Sequence, residues 1–169
     1  MKNNLMKVFE RASKTYDLES EDGTFLGKLE YQGWFESKAS ITTQFGEFYD
    51  LVTVGFWTSK VEVRIAGELF AELKRNWMGQ VIIDIMGNDI EKDFIVKQKG
   101  FWRNRYVLQD RFENDILTLL PTYEWFGKTH YDIEINPEFQ AEANETMILL
   151  AVYGATSIKK QQNAAAAGA

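Results

Sequence analysis

The 169-residue sequence contains no cysteine, one histidine and two prolines, and it is short of positive charge. Without cysteine there is no disulfide, no thiolate zinc site and no thiol nucleophile. A chain of this length can bury a core without such staples, and the lack of thiols fits a reducing compartment. The first ten residues, Met1-Lys-Asn-Asn-Leu-Met-Lys-Val-Phe-Glu10, lack the apolar stretch of a secretory signal, so a cytoplasmic protein is the expectation. Any Ser-His-Asp triad would have to use His130, and neither Ser40, Ser59 nor any other serine sits in a Gly-x-Ser-x-Gly elbow. The net charge of −6 argues against nucleic acid as a partner, which needs a basic surface. No apolar run reaches the ~20 residues that a membrane-spanning helix requires. No Gly-rich stretch follows a strand and opens a helix, so no nucleotide-binding fold is implied.

What is present begins with a segment near the end of the chain, Thr146-Met-Ile-Leu-Leu-Ala-Val-Tyr-Gly-Ala-Thr-Ser-Ile158. It is apolar on nearly every side, the mark of a helix buried in a core or a membrane. Its helical length of roughly 20 Å is too short for a bilayer, so it reads as a buried axle. Asn144 is a suitable N-cap with Glu145 in the first turn, and Lys159-Lys160 suit the negative end of the dipole. A competing start exists at Asn136-Pro137-Glu138, a cap followed by proline at the first helical position. The helix is placed at about 144–159, with a linker before it. Gly154 costs about 1 kcal/mol in a helix interior, a cost that close approach of a strand could offset. The tail 161–169 is low-complexity and either frays or adds a few helical turns.

Most of what precedes the axle has a period of two. Strand segments fall at 15–19, 24–31, 38–43, 48–54, 61–65, 69–73, 80–85, 93–97, 105–109, 116–120 and 131–135, with Pro121 closing the tenth. Turn signals such as Glu21-Asp22-Gly23, Ala66-Gly67 and Glu113-Asn114-Asp115 separate them at ~8–12 residues, the spacing of a sandwich or barrel. No helix of crossover length divides two strands, so the pairing is antiparallel. The fold class is therefore all-β with one buried helix: an antiparallel closed barrel of about 12 strands around a C-terminal central helix. Residues 1–14 form a lead-in, 15–160 the barrel domain and 161–169 the tail.

The second half of the chain carries a resemblance. Asp93-Phe-Ile-Val96, Gly100-Phe-Trp102, Tyr106, Ile116, Tyr131-Asp-Ile-Glu-Ile-Asn-Pro137 and the apolar terminal helix resemble LURP-one-related proteins of the tubby C-terminal-like superfamily. Thr24-Phe-Leu-Gly-Lys-Leu29 and Ser37-Lys-Ala-Ser-Ile41 fit the first half more loosely. The resemblance implies a twelve-stranded barrel around a buried C-terminal helix and covers residues 15–158. It carries no catalytic signature. The tubby branch binds phosphoinositides through basic residues on the barrel wall, and no such motif can be matched here residue by residue.

One cluster stands out chemically. Lys97-Gln-Lys-Gly-Phe-Trp-Arg-Asn-Arg105 places four cations and two aromatics in one short stretch of an acidic chain, and Lys74-Arg75-Asn76-Trp77 repeats it on a smaller scale. Basic side chains beside exposed aromatics attract anionic headgroups, so Lys97, Lys99, Trp102, Arg103, Arg105, Lys74 and Arg75 form the candidate anionic-ligand patch. A solvated strand face with structural aromatics is the simpler reading of the same residues. The many carboxylates alternate along strands or sit in turns, as a solvated face requires. Asn88-Asp89 with Glu91 and Asp93 lacks the spacing of an EF-hand loop, so no metal is implied, and no cofactor either. Aromatics in Tyr31-Gln-Gly-Trp-Phe35 and Glu124-Trp-Phe126 fit a plug for the barrel end better than a partner surface.

These readings lead to a non-enzymatic binding or scaffold protein with no catalytic residues. Its wall would meet anionic phospholipid headgroups or a protein partner. The alternative is an enzyme or binding protein with a small-molecule site at the barrel mouth, built from converging carboxylates and His130. Oligomeric state is not readable from these residues.

Overall fold

The computed structural model describes residues 5–12, 14–33, 35–55, 60–87, 92–100, 105–124 and 127–168. Twelve strands follow one another along the chain: β1 (Met6–Glu10), β2 (Thr15–Glu19), β3 (Phe25–Gln32), β4 (Lys38–Thr43), β5 (Phe48–Val54), β6 (Lys60–Ile65), β7 (Glu68–Arg75), β8 (Val81–Ile85), β9 (Lys92–Lys99), β10 (Arg105–Asp110), β11 (Asp115–Tyr123) and β12 (Thr129–Ile135). Each pairs antiparallel with its neighbours in sequence, and β1 pairs with β12 to close the barrel. Among the described residues, one 3-10 turn (Pro137–Phe139) and the helix α1 (Glu145–Ala167) follow the last strand.

The period-two pattern becomes an inner and an outer face. Every strand turns at least one aliphatic side chain to the interior, from Val8, Leu18 and Leu29 round to Leu108, Leu119 and Ile133, each fully buried. Registers such as Val8↔Leu18, Leu29↔Ile41, Leu51↔Val63 and Val96↔Leu108 set these side chains in adjoining rows. The helix fills the space they surround, and it is buried from Thr146 to Ile158 except where Tyr153 and Ser157 approach solvent. A segment apolar on nearly every side is stable in water only inside such a wall.

Two glycines set the fit between wall and axle. A Cβ on Gly154 would lie 3.0 Å from Val96 Cγ2, and one on Gly27 would lie 2.9 Å from the Thr42 carbonyl oxygen and 3.1 Å from Leu149 Cδ1. The close approach expected at Gly154 is thus found, and Gly27 is its counterpart on the wall.

Both competing helix starts are used. Asn136 Oδ1 accepts from Glu138 N and caps the 3-10 turn, while Asn144 Oδ1 accepts from Met147 N at 3.0 Å and caps α1. Three differences from the sequence reading stand out. The lead-in at 1–14 contains β1, the strand that closes the barrel. Pro121 lies within β11 and does not end it. The β10 ladder stops at Tyr106↔Leu119, so Pro121 lies beyond it and needs no hydrogen bond on that side. The helix also runs past 159 to Ala167, leaving the barrel as an exposed tail; alanine has the highest helix propensity and sustains those turns.

Candidate anionic-ligand surface

The helix gives the barrel two distinguishable ends. Its N-terminus lies where Gln44 Nε2 donates to Glu145 Oε1 at 3.0 Å. Its C-terminal part leaves where Gln162 Nε2 donates to Gln98 Oε1 at 2.6 Å and Lys159 Nζ to Thr129 Oγ1 at 2.7 Å. At the exit end lie the connections that follow the odd-numbered strands, and at the entry end those that follow the even-numbered ones.

The predicted patch divides over this frame. Phe94 and Val96 face inward, so Lys97 and Lys99 face outward on β9. Arg105 stands directly opposite Lys99, and Val107 opposite Lys97, which puts the three cations on one stretch of outer wall. Like charges placed opposite each other repel. Lys99 relieves this by reaching Asp115, at 2.7 and 2.8 Å from its two carboxylate oxygens. Burial alone would raise the Asp115 carboxyl, but Lys99, Gln109 and the charge of Lys97 together hold it below its ordinary value. Among the described residues neither Lys97 nor Arg105 makes a direct ion pair, although the charge of Lys97 is felt at Asp115. Trp102 and Arg103 lie outside the described residues.

Lys74 and Arg75 do not extend that patch. Lys74 faces the outer wall but is held by Glu72 at 3.0 Å and Asp84 at 3.7 Å. Arg75 follows the inward parity of Ala71 and Leu73 and reaches over the barrel mouth, where its Nη2 donates to Ser157 O at 3.0 Å and Ser157 Oγ at 2.5 Å. There it lines a cavity of about 340 Å³ with Tyr31, Phe35, Glu36, Tyr153 and Lys160. Lys160 Nζ sits 4.3 Å above the Tyr31 ring and pairs with Glu36, which Lys14 also approaches at 3.8 Å. Burial, with the nearby charge of Lys14, lowers the Lys160 pKa. Tyr31 is itself buried and stacks on Tyr153 at 5.5 Å. Of the aromatics expected to plug the barrel end, Tyr31 does so and Phe35 is exposed, while Trp34, Trp125 and Phe126 lie outside the described residues. The sequence reading treated Lys160 only as a partner for the helix dipole and did not bring Lys14, Glu36 and Arg75 together.

His130 lies elsewhere. It faces the outer wall, with its ring 5.1 Å from that of Phe9 and Nε2 2.7 Å from Glu124 Oε1. Its carboxylate partner is thus Glu124 and not Glu36 of the mouth cavity. Asn88, Asp89 and Glu91 lie outside the described residues. Asp93 stands opposite Asp84 across β8 and β9, and the Asp84 pKa is raised by burial and by that neighbour. Among the described residues no group of three or more histidines and carboxylates is arranged to hold a metal ion.

The two ends differ in charge. Around the exit stand Arg11, Lys14, Lys38, Arg75, Lys97, Arg105, Lys128 and Lys160, of which Arg11 pairs with Asp17 and Glu19 while Lys14 and Lys160 share Glu36. Around the entry stand Glu21, Asp22, Glu47, Glu68, Glu113, Glu138 and Glu142, with Arg64 and Arg111 among them. The buried part of the helix separates them by roughly 20 Å. The screening length at physiological ionic strength is about 8 Å, so each end presents its own field.

No family model matches this sequence, and no curated protein matches it either. Among solved structures the chain is similar to a crystal structure of an Arabidopsis thaliana protein, with a TM-score of 0.51 at 16% identity over 89% of this chain and 93% of that one. At that identity the likeness shows a shared fold: a closed twelve-strand antiparallel barrel with one C-terminal helix.

Proposed function

We propose that this chain is a non-enzymatic binding protein of the LURP-one-related, tubby-like kind, working in the cytoplasm and taking anionic phospholipid headgroups at the basic end of its barrel. The observation that carries this reading is the pair Lys97 and Arg105, which share one face and make no direct ion pair among the described residues. Each cation near an anionic membrane surface contributes about 1 kcal/mol, so a few acting together suffice for measurable association. The net charge of −6 does not oppose this, since the acidic end lies beyond the screening length.

The test is co-sedimentation with liposomes of graded anionic content, for the wild type and for a Lys97→Gln, Arg105→Gln double variant. The reading expects binding that rises with anionic lipid, weakens with salt and falls about tenfold or more in the variant. Binding unchanged by the substitutions would remove this patch from consideration.

The mouth cavity favours a second reading, a small anionic ligand held by Arg75 and Lys160 in place of Glu36. Titration with inositol phosphates followed by calorimetry separates the two: saturable binding that survives Lys97→Gln, Arg105→Gln but is lost in Arg75→Gln would favour the cavity. A protein partner on the same wall would instead leave both lipid and inositol phosphate unbound.

A further inference from the structure

The exit end differs from the entry end in a second respect. The sequence has five tryptophans, and each falls in a different connection between an odd-numbered strand and the next: Trp34, Trp57, Trp77, Trp102 and Trp125. Each stands next to a phenylalanine or a methionine, at Phe35, Phe56, Met78, Phe101 and Phe126. No connection at the entry end holds a tryptophan. Trp34, Trp57, Trp102 and Trp125, with Phe56, Phe101 and Phe126, lie outside the described residues and enter the argument by their position in the sequence alone.

The described members are open to solvent. Phe35 is 89% exposed, Trp77 92% and Met78 56%. Trp77 and Met78 occupy a turn whose backbone is fixed, with Asn76 Oδ1 accepting from both Met78 N and Gln80 N at 3.0 Å. Large apolar side chains held out on a rigid turn have no role in this barrel's own core. The entry end also exposes phenylalanines, Phe25, Phe45, Phe48 and Phe112, the last with the Arg111 guanidinium 4.8 Å from its ring, but no tryptophan. At the exit the exposed tips share their end of the barrel with Arg75, Lys97 and Arg105.

We propose that the exit end docks end-on against an anionic bilayer, with Phe35, Trp77 and Met78 entering the interfacial layer while the surrounding lysines and arginines meet the headgroups. The proposal rests on the headgroup reading above and adds an orientation and an apolar contribution to it. Tryptophan concentrates at the membrane–water interface because its ring is apolar and its N–H polar. Charge complementarity selects an anionic partner, and the two protruding tips at Phe35 and at Trp77-Met78 suit a soft bilayer better than the face of a folded protein. No helix among the described residues is long and apolar enough to cross a membrane.

The experiment uses the full chain and vesicles of equal parts phosphatidylserine and phosphatidylcholine, with and without brominated acyl chains. The variants are Trp77→Ser, Met78→Ser and, as the control at the other end, Phe45→Ser, Phe112→Ser. All four positions are exposed, so equal melting temperatures check that folding is untouched. The proposal expects tryptophan emission of bound wild type to be quenched by bromolipid. It also expects roughly fivefold weaker binding of the Trp77, Met78 variant at physiological salt, with the control binding as wild type. Wild-type affinity in the Trp77, Met78 variant, or no quenching in bound protein, would overturn it. Binding that depends on Lys97 and Arg105 but not on Trp77 keeps the headgroup reading and sinks this one. Binding that depends on Trp77 but not on Lys97 and Arg105 does the reverse.

Discussion

The two ends of the barrel are closed by the same kind of connection between antiparallel strands, yet one gathers lysine and arginine and the other aspartate and glutamate. Closing a barrel requires turns that reverse the chain, and several of these satisfy that need with a left-handed residue, as at Gly23, Gly46 and Gly67 at the entry and Gly33, Gly79 and Gly127 at the exit. Charge at a turn is not needed for closure. Its segregation to opposite ends, about 20 Å apart through the buried helix, is therefore information about surroundings and not about folding. The wall between the ends shows the contrast: there Lys60 pairs with Glu62 and Glu72, Arg64 with Glu62, and Lys74 with Glu72 and Asp84, so opposite charges neutralise each other locally.

The comparison can be broken most severely at what the ends share. A fragment ending at residue 143 loses the axle, and the inward side chains of every strand would face a void. It should show no cooperative melting transition; a soluble fragment that melts cooperatively would contradict the architecture. A smaller change at the same contact is Gly154→Val. Its side chain would meet Val96, and overpacking of this kind costs about 1–3 kcal/mol, read as a lower midpoint in urea. Ala164→Val, on the exposed tail of the same helix, should leave the midpoint within about 0.5 kcal/mol of wild type. The Gly154 contact lies inside the barrel, and the tail lies beyond its exit end.

Next comes a change confined to one end. Arg75→Met removes the bonds that tie β7 to Ser157 at the mouth, and an exposed pair of this type is worth about 1 kcal/mol. Hydrogen exchange should quicken around the exit turn at 76–80 and not in the entry turn at 20–24. The smallest effect expected is at Asp84. Its pKa is raised in the fold, so the native state holds the proton to higher pH than the unfolded chain does. Stability from this group is present below the unfolded pKa and declines as pH rises through the raised value. Asp84→Asn should flatten that decline in pH-dependent urea melts, and an unchanged profile would remove the Asp84–Asp93 contact as its source.

Much of the wall was legible because its determinants are local. Alternation at 61–65 and a turn at Ala66-Gly67 are enough to place β6 and β7, and the positive φ of both turn residues is what such a hairpin needs. The buried helix was legible for the same reason, down to its Asn144 cap. β1 was not. It pairs with β12, more than a hundred residues away, and no local pattern announces a closing strand. In the candidate patch, Lys97 and Arg105 came together through strand register, which turn positions nearly fix. The commitment of Lys99 to Asp115 crosses two strands and was invisible. The inward path of Arg75 was readable, since it lies two residues after the apolar Leu73 and four after Ala71 on one strand. Five tryptophans in five connections also stood in the sequence, but their common end appears only once the odd-numbered strands are known to run the same way.

The most direct test of the account compares two variants that alter equal numbers of charges at opposite ends. One carries Lys14→Gln, Lys97→Gln, Arg105→Gln and Lys128→Gln; the other carries Glu21→Gln, Glu47→Gln, Glu113→Gln and Glu138→Gln. Co-sedimentation with anionic vesicles at physiological salt should be abolished in the first and undiminished in the second. Equal loss in both, or loss in neither, would contradict the claim that the basic end of this barrel is its binding surface.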